Sequence, residues 1–135
     1  MQKEPFLQYL SAISLLALTI CFAAVTTGFA AEETRVRWID LNQMKKIIEE
    51  QAPVIVDLRT PREFEQGHIA GAVNVPVDDL RSNRTLLDAY KDQPVLLYCR
   101  TVNRTGRALW ILEGREFKSI YALKGGYEAY RAQDR

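Results

Sequence analysis

The stretch PVLLYCRTVNRTGRALWIL (94–112) decides the fold. Its proline is followed by an unbroken run, Val95 to Cys99, suited to a strand covered on both faces. It closes on Ala108 to Leu112, which reads as helix, with Gly114 near the helix end. Between the two lies CRTVNRTGR, a cysteine followed by Arg100, Arg104 and Arg107 with no acid among them. A strand, a polar loop and a helix in that order belong to an α/β sheet. The loop then falls beyond the carboxyl end of the strand, where such sheets bind ligands.

Working outward, the same alternation repeats. Val36 to Ile39 is a short strand, and Asp40 caps a helix over Leu41 to Ile48. Leu41, Met44, Ile47 and Ile48 recur at helical spacing on one face of it. Pro53 opens VIVDL, a second covered run, and the helical turn in PREFEQGH (61–68) leads to AVNVP (72–76), a short strand ended by Pro76. Asp78 to Tyr90 reads as one or two short helices carrying Leu80, Leu86 and Leu87. Ser119 to Leu123 is a last strand, Gly125-Gly126 a turn, and Tyr127 to Gln133 a terminal helix. Strands alternating with helices predict an α/β domain with a central, mostly parallel sheet and helices on both faces.

The first thirty residues have another character. Tyr9 to Val25 carries no charge, Lys3 precedes it, and small residues including Gly28 and Ala30 follow. That layout is expected of an export signal cleaved after Ala30. The competing reading is an uncleaved N-terminal membrane anchor, since the apolar run is just long enough to span. A lipoprotein signal is disfavoured because bulky Ile20 precedes Cys21. Without residues 1–30, about 105 of the 135 residues remain, enough for one compact core. Eighteen basic residues against 17 acidic ones, dispersed along the chain, offer no footprint for nucleic acid.

Cysteine usage narrows the chemistry. With Cys21 in the leader, Cys99 stands alone, so the remaining domain cannot form an internal disulfide. One cysteine and one histidine, His68, far apart in sequence, make no metal set. Free cysteines are often inert packing residues. Cys99 at a strand end, however, would meet the unpaired N–H groups of a helix start, the helix dipole and three arginines. Those features favour a nucleophilic thiolate and attract an anionic substrate. Both readings of the loop stand on these residues alone.

Three longer motifs bear on the choice. DLRTPREFEQGHIAGAVNVP (57–76), CRTVNRT (99–105) and LKGGYEAY (123–130) together resemble the rhodanese family of sulfurtransferases, in order and in spacing. The resemblance runs from about Trp38 to Tyr130, within a domain taken as residues 36–133, and with the export signal it is to small periplasmic single-domain members. It implies a rhodanese-like α/β fold and, for Cys99, the role of a nucleophile that holds sulfur as a persulfide. It implies substrate contacts along Arg100, Thr101, Val102, Asn103, Arg104 and Thr105, whose loop would wrap the sulfur with N–H groups while Arg104 holds the anionic donor. Asp57 and Arg59 become a structural pair, with Arg59 at the pocket border, and His68 a structural turn residue. The implied partners are thiosulfate or a similar donor and a thiol or cyanide acceptor, with neither metal nor cofactor. A membrane is a partner only if the leader stays uncleaved.

The chain departs from the family pattern at Val102, where glycine is common, at Glu116, which replaces a glycine before Phe117, and at Tyr130, in place of tryptophan. Only Val102 touches the chemistry. It is expected at negative φ with its side chain outward, since a valine at positive φ is an outlier. A related phosphatase would need an arginine six positions after the cysteine, where Thr105 stands. Thiol–disulfide exchange lacks a second cysteine. A non-enzymatic sulfur carrier or partner-binding domain is the alternative, against which the retained cysteine argues.

Overall fold

A computed structural model of the chain describes residues 34–134. The leader or anchor expected over 1–30 lies outside the described residues. Five strands form one sheet: β1 (Arg35–Ile39), β2 (Val54–Asp57), β3 (Val73–Asn74), β4 (Pro94–Tyr98) and β5 (Ser119–Leu123), in the order β1-β5-β4-β2-β3. Every pairing is parallel. The helices are α1 (Leu41–Gln51), α2 (Pro61–Glu65), α3 (Val77–Ser82), α4 (Asn103–Leu112) and α5 (Gly126–Arg131), with 3-10 turns at Asp88–Tyr90 and Ala132–Asp134. Among the described residues no helix is long and apolar enough to cross a membrane.

The two-residue period of the strands sorts the core into two layers. Along β4 and just beyond it, Val95, Leu97 and Cys99 join Val77 and Leu80 of α3 and Ala108, Ile111 and Leu112 of α4. The alternate residues Leu96 and Tyr98 join Met44 and Ile47 of α1 on the other face, with Tyr127 and Tyr130 packed at the margin. Val95, Leu96 and Leu97 are wholly buried. Each such side chain is worth roughly 1.5–3 kcal/mol against exposure. The candidate site therefore follows a strand buried on both faces, and Cys99 extends its α4-facing row.

Local chemistry fixes the helix starts. Asp40 accepts from the Gln43 N–H while the Gln43 side chain accepts from the Asp40 N–H, a reciprocal box at the head of α1. Thr60 and Glu63 build the same box at α2, with Pro61 in the first turn. The expected AVNVP strand shortens to Val73–Asn74. Beyond it Val75 and Val77 donate their N–H groups to Asp57 and Leu58, and the Asn74 amide bonds to the carbonyls of Asp57 and Arg59.

The larger difference concerns the arginine-rich segment. The helix expected to begin at Ala108 begins at Asn103, so Asn103, Arg104 and Thr105 form its first turn and the loop proper is only Arg100–Val102. The buried residues Thr105, Ala108, Ile111 and Leu112 keep helical spacing across Gly106. One interior glycine, at about 1 kcal/mol relative to alanine, is outweighed by that packing.

Candidate active site

The loop after β4 is held from outside by α5. The carbonyl of Cys99 accepts from the Tyr127 N–H at 2.8 Å, and that of Arg100 from the Glu128 N–H at 3.1 Å. Gly126 lies so close that a Cβ there would stand 2.5 Å from the Thr101 oxygen, 2.8 Å from that of Arg100, and nearer still to that of Cys99. Three successive carbonyls thus converge on the first turn of α5. In a trans peptide the N–H points opposite to the C=O, so the N–H groups of Arg100, Thr101 and Val102 face away from α5. The first N–H groups of α4, on Asn103, Arg104 and Thr105, have no partner within the helix. Among the described residues none of the six N–H groups from Arg100 to Thr105 donates to a backbone carbonyl.

Two further features leave these donors unused. Val102, the residue before α4, offers no capping side chain. A serine or aspartate there would consume one N–H. Its φ is −141°, in a region open to valine, and its side chain is exposed, as expected from the sequence. Thr105 is completely buried on the inner side of α4, and its Oγ1 has no hydrogen-bond partner. Cys99 itself is free and buried. The result is a run of hydrogen-bond donors without backbone partners on the loop and helix start that directly follow a buried thiol.

The arginines play a different part from the one their sequence neighbourhood suggests. Arg104 forms a fork with Glu63, Nη1 to Oε2 at 2.6 Å and Nη2 to Oε1 at 2.7 Å. The Arg104 guanidinium holds the Glu63 carboxyl down at about 2, the hydrogen bonds from Thr60 adding to the effect. Reciprocally, Glu63 strengthens the charge on Arg104, and charges at Cys99 and Asp57 act in the same direction. The Arg104 fork is already filled by a carboxylate, so its evident work is to tie α4 to the capped start of α2. Arg100 pairs with Glu128 at 2.6 Å in an exposed position, and Arg107 is exposed on α4. The expected nest of three unpaired cations is thus largely neutralised by acids from other elements.

Asp57 and Arg59 behave as a structural pair. Both are buried, and Arg59 donates to the carboxylate through Nε at 3.0 Å and Nη2 at 2.6 Å, and to the Gly67 carbonyl at 2.7 Å. Its guanidinium lies 3.9 Å from the Tyr127 ring centroid, which makes it the floor under α5. His68 stacks on Phe64, with Nδ1 3.0 Å from the Phe64 carbonyl, and serves the turn. Beside the loop opens a cleft of about 290 Å³ lined by Arg59, Glu63, Gln66, Arg100, Tyr127 and residues of α5. Arg59 does border it.

Glu63 and Glu128 are the site residues that sequence reasoning missed. Glu63 had a signal, the Thr60-Pro61-Arg62-Glu63 capping box. Nothing local marks Glu128, whose role arises because Gly126 allows α5 to approach the loop.

Comparison with known proteins supports the fold. Residues 40–133 match the family model described as Rhodanese-like domain. The protein YqhL of Bacillus subtilis is 41% identical over 76 residues, 56% of this chain and 59% of that protein. The thiosulfate sulfurtransferase GlpE of Pseudomonas putida is 35% identical over 103 residues, 68% of this chain and 89% of that protein. Some relatives are longer: the chain spans 31% of the tRNA uridine(34) hydroxylase of Buchnera aphidicola. Among solved structures, a rhodanese-related protein from Thermoplasma volcanium superposes with a TM-score of 0.63 at 26% identity, covering 72% of this chain and 92% of that one. With the parallel sheet, the cysteine at the end of its central strand and the donor-lined loop in place, the chain belongs to the rhodanese-like domain family.

Proposed function

We propose that this protein is a thiosulfate sulfurtransferase that carries sulfur as a persulfide on Cys99. The observation that carries the reading is the run of six N–H groups, Arg100 to Thr105, that have no backbone partner among the described residues and directly follow one buried cysteine. The Cys99 thiolate attacks the outer sulfur of thiosulfate, the S–S bond of the donor breaks, and sulfite leaves with its electron pair. A thiolate or cyanide then attacks the outer sulfur of the persulfide, and the electron pair of the broken bond returns to Cys99. This is covalent catalysis in two half-reactions.

The protein's contribution is preorganisation. Charge builds on sulfur in both half-reactions, and fixed N–H dipoles stabilise it without reorganising. Sulfur transfer suits the loop better than phosphate chemistry: Thr105, six positions after Cys99, is a buried hydroxyl residue where a phosphatase would need arginine. Thiocyanate formation from thiosulfate and cyanide tests the reading. Wild-type protein turns over, and Cys99→Ser, close in size but a far weaker nucleophile, does not. Turnover by the serine variant contradicts the mechanism. The leader over 1–30 would place this activity in the periplasm, with the domain starting at Ala31. Fractionation with N-terminal sequencing tests that part separately.

A further inference from the structure

The outward face of α4 carries a pattern that the fold itself does not require. Asn103, Gly106, Arg107, Trp110 and Glu113 recur at helical spacing, and all are exposed. Trp110 projects furthest, with 71% of its surface open to solvent, and Val102, just ahead of the helix, is 39% exposed. Between them Gly106 leaves a notch, since a Cβ there would meet nothing within 4 Å. The turn at Gly114, just past the helix end, is equally open. Arg107 and Glu113 make no ion pair among the described residues. They stand six positions apart, beyond the three or four at which side chains on one helix meet. The apolar surface continues onto the sheet. Val36 and Trp38 of the edge strand β1 lie in register with Ile120 and Ala122, and Ile120 belongs to the α4-side core. Both therefore point to the side of the sheet that α4 covers, where they are 45% and 40% exposed.

We propose that this face is an isologous interface on which a second copy of the chain docks, the two α4 helices running antiparallel. A two-fold axis at the level of Ala108 sets each projection against a notch. Trp110 then lies over Gly106 of the second copy and Val102 over its Gly114 turn, each contact made twice. The same operation brings Asn103 opposite Glu113 of the second copy and Arg107 within one turn of it. Charges that cannot pair along one helix thus pair across two. A second copy is favoured over an unrelated partner because one face holds both members of every pair, in shape and in charge. The helix-interior glycine, which costs helix stability, becomes the seat of the other copy's tryptophan. Two partly exposed tryptophans of about 150–250 Å² each, with two valines, fall short of the roughly 800 Å² per partner of a standard interface. Association is therefore expected at micromolar concentration. The interface uses the outer face of α4, whereas Cys99 packs on its inner side, so the inference stands apart from the sulfur chemistry.

The test is sedimentation velocity, from submicromolar to submillimolar concentration, on protein expressed from the full coding sequence. A reversible monomer–dimer equilibrium is expected, with tryptophan emission moving to shorter wavelength as the dimer forms. Trp110→Ala should weaken the dimer by about 30-fold or more. Gly106→Ala should also weaken it while raising the thermal midpoint, because alanine is the better helix former. A purely structural role would not give those opposite signs. Arg107→Glu and Glu113→Arg should each cost about tenfold in dimer affinity, and the double variant should recover most of the loss, since the pairs re-form with signs exchanged. A monomer at every concentration overturns the proposal, as does a dimer unmoved by Trp110→Ala and by both charge swaps. A double variant as weak as the single ones overturns the antiparallel pairing. Emission that shifts with anionic phospholipid vesicles but not with protein concentration would assign the face to a membrane and overturn the second copy.

Discussion

Replacing Gly126 by alanine puts a methyl group among the three carbonyls through which α5 holds the loop after β4. Two costs follow from the geometry. Gly126 has φ +57°, and a side chain there costs about 1–2 kcal/mol on backbone grounds. The new Cβ would stand 2.5 and 2.8 Å from the Thr101 and Arg100 oxygens, and the overpacking adds about 1–3 kcal/mol. The sum, about 2–5 kcal/mol, falls short of the stability of many small domains, about 5–15 kcal/mol, so the variant should still fold. The loop then has to move, and misplacement by about 1 Å costs on the order of 100-fold in rate. Single-turnover persulfide formation should therefore slow by one to two orders of magnitude while urea denaturation shows a folded domain. Gly114→Ala is the control. Gly114 has φ +70°, but its Cβ would meet open space. It should lose only the backbone share of stability and load sulfur at the wild-type rate. A folded Gly126→Ala variant that also loads at the wild-type rate would refute the claim that α5 sets the direction of the loop N–H groups.

Other perturbations test neighbouring parts of the account. Glu116 is a non-glycine residue at φ +59°; Glu116→Gly should stabilise the domain by up to about 1 kcal/mol, seen as a raised urea midpoint, and a lowered midpoint contradicts the strain. The Glu63 carboxyl is depressed to about 2 by Arg104, so its contribution to stability is present above its ordinary value near 4.5 and is lost as pH falls from there toward 2. Glu63→Gln should therefore flatten the acid side of the stability–pH curve in that window, and an unchanged slope contradicts the pair's contribution. In a Gram-negative host the protein should fractionate with the periplasm and begin at Ala31; recovery in the membrane fraction with Met1 intact supports the anchor instead.

The parts of this molecule legible from sequence are those written in local periodicity. Apolar runs after Pro53 and Pro94 mark β2 and β4, Asp40 marks the head of α1, and the alternation of elements implies the parallel sheet. The start of α4 was hidden because Gly106 and a polar first turn mimic loop, while Val102 lacks a capping oxygen. The electrostatics of the site were hidden for another reason. CRTVNRTGR contains no acid, yet Glu63 lies 41 residues from Arg104 and Glu128 lies 28 residues from Arg100. Such partners appear only when α2 and α5 are brought to the carboxyl end of β4. With both arginines paired to acids, the donors of this loop that keep no backbone partner among the described residues are its backbone N–H groups. Those donors exist at every residue but proline, and only the fold gives them direction.

The central claim is that Cys99 accepts one sulfur atom, and intact mass spectrometry reads that event directly. Incubation with thiosulfate should increase the mass of the wild-type protein by one sulfur, located on the peptide containing Cys99. Cyanide should then restore the original mass with release of thiocyanate. Cys99→Ser, folded by the same denaturation criterion, should show neither change. A wild-type protein that gains no sulfur, or a gain that persists in Cys99→Ser, would contradict the account.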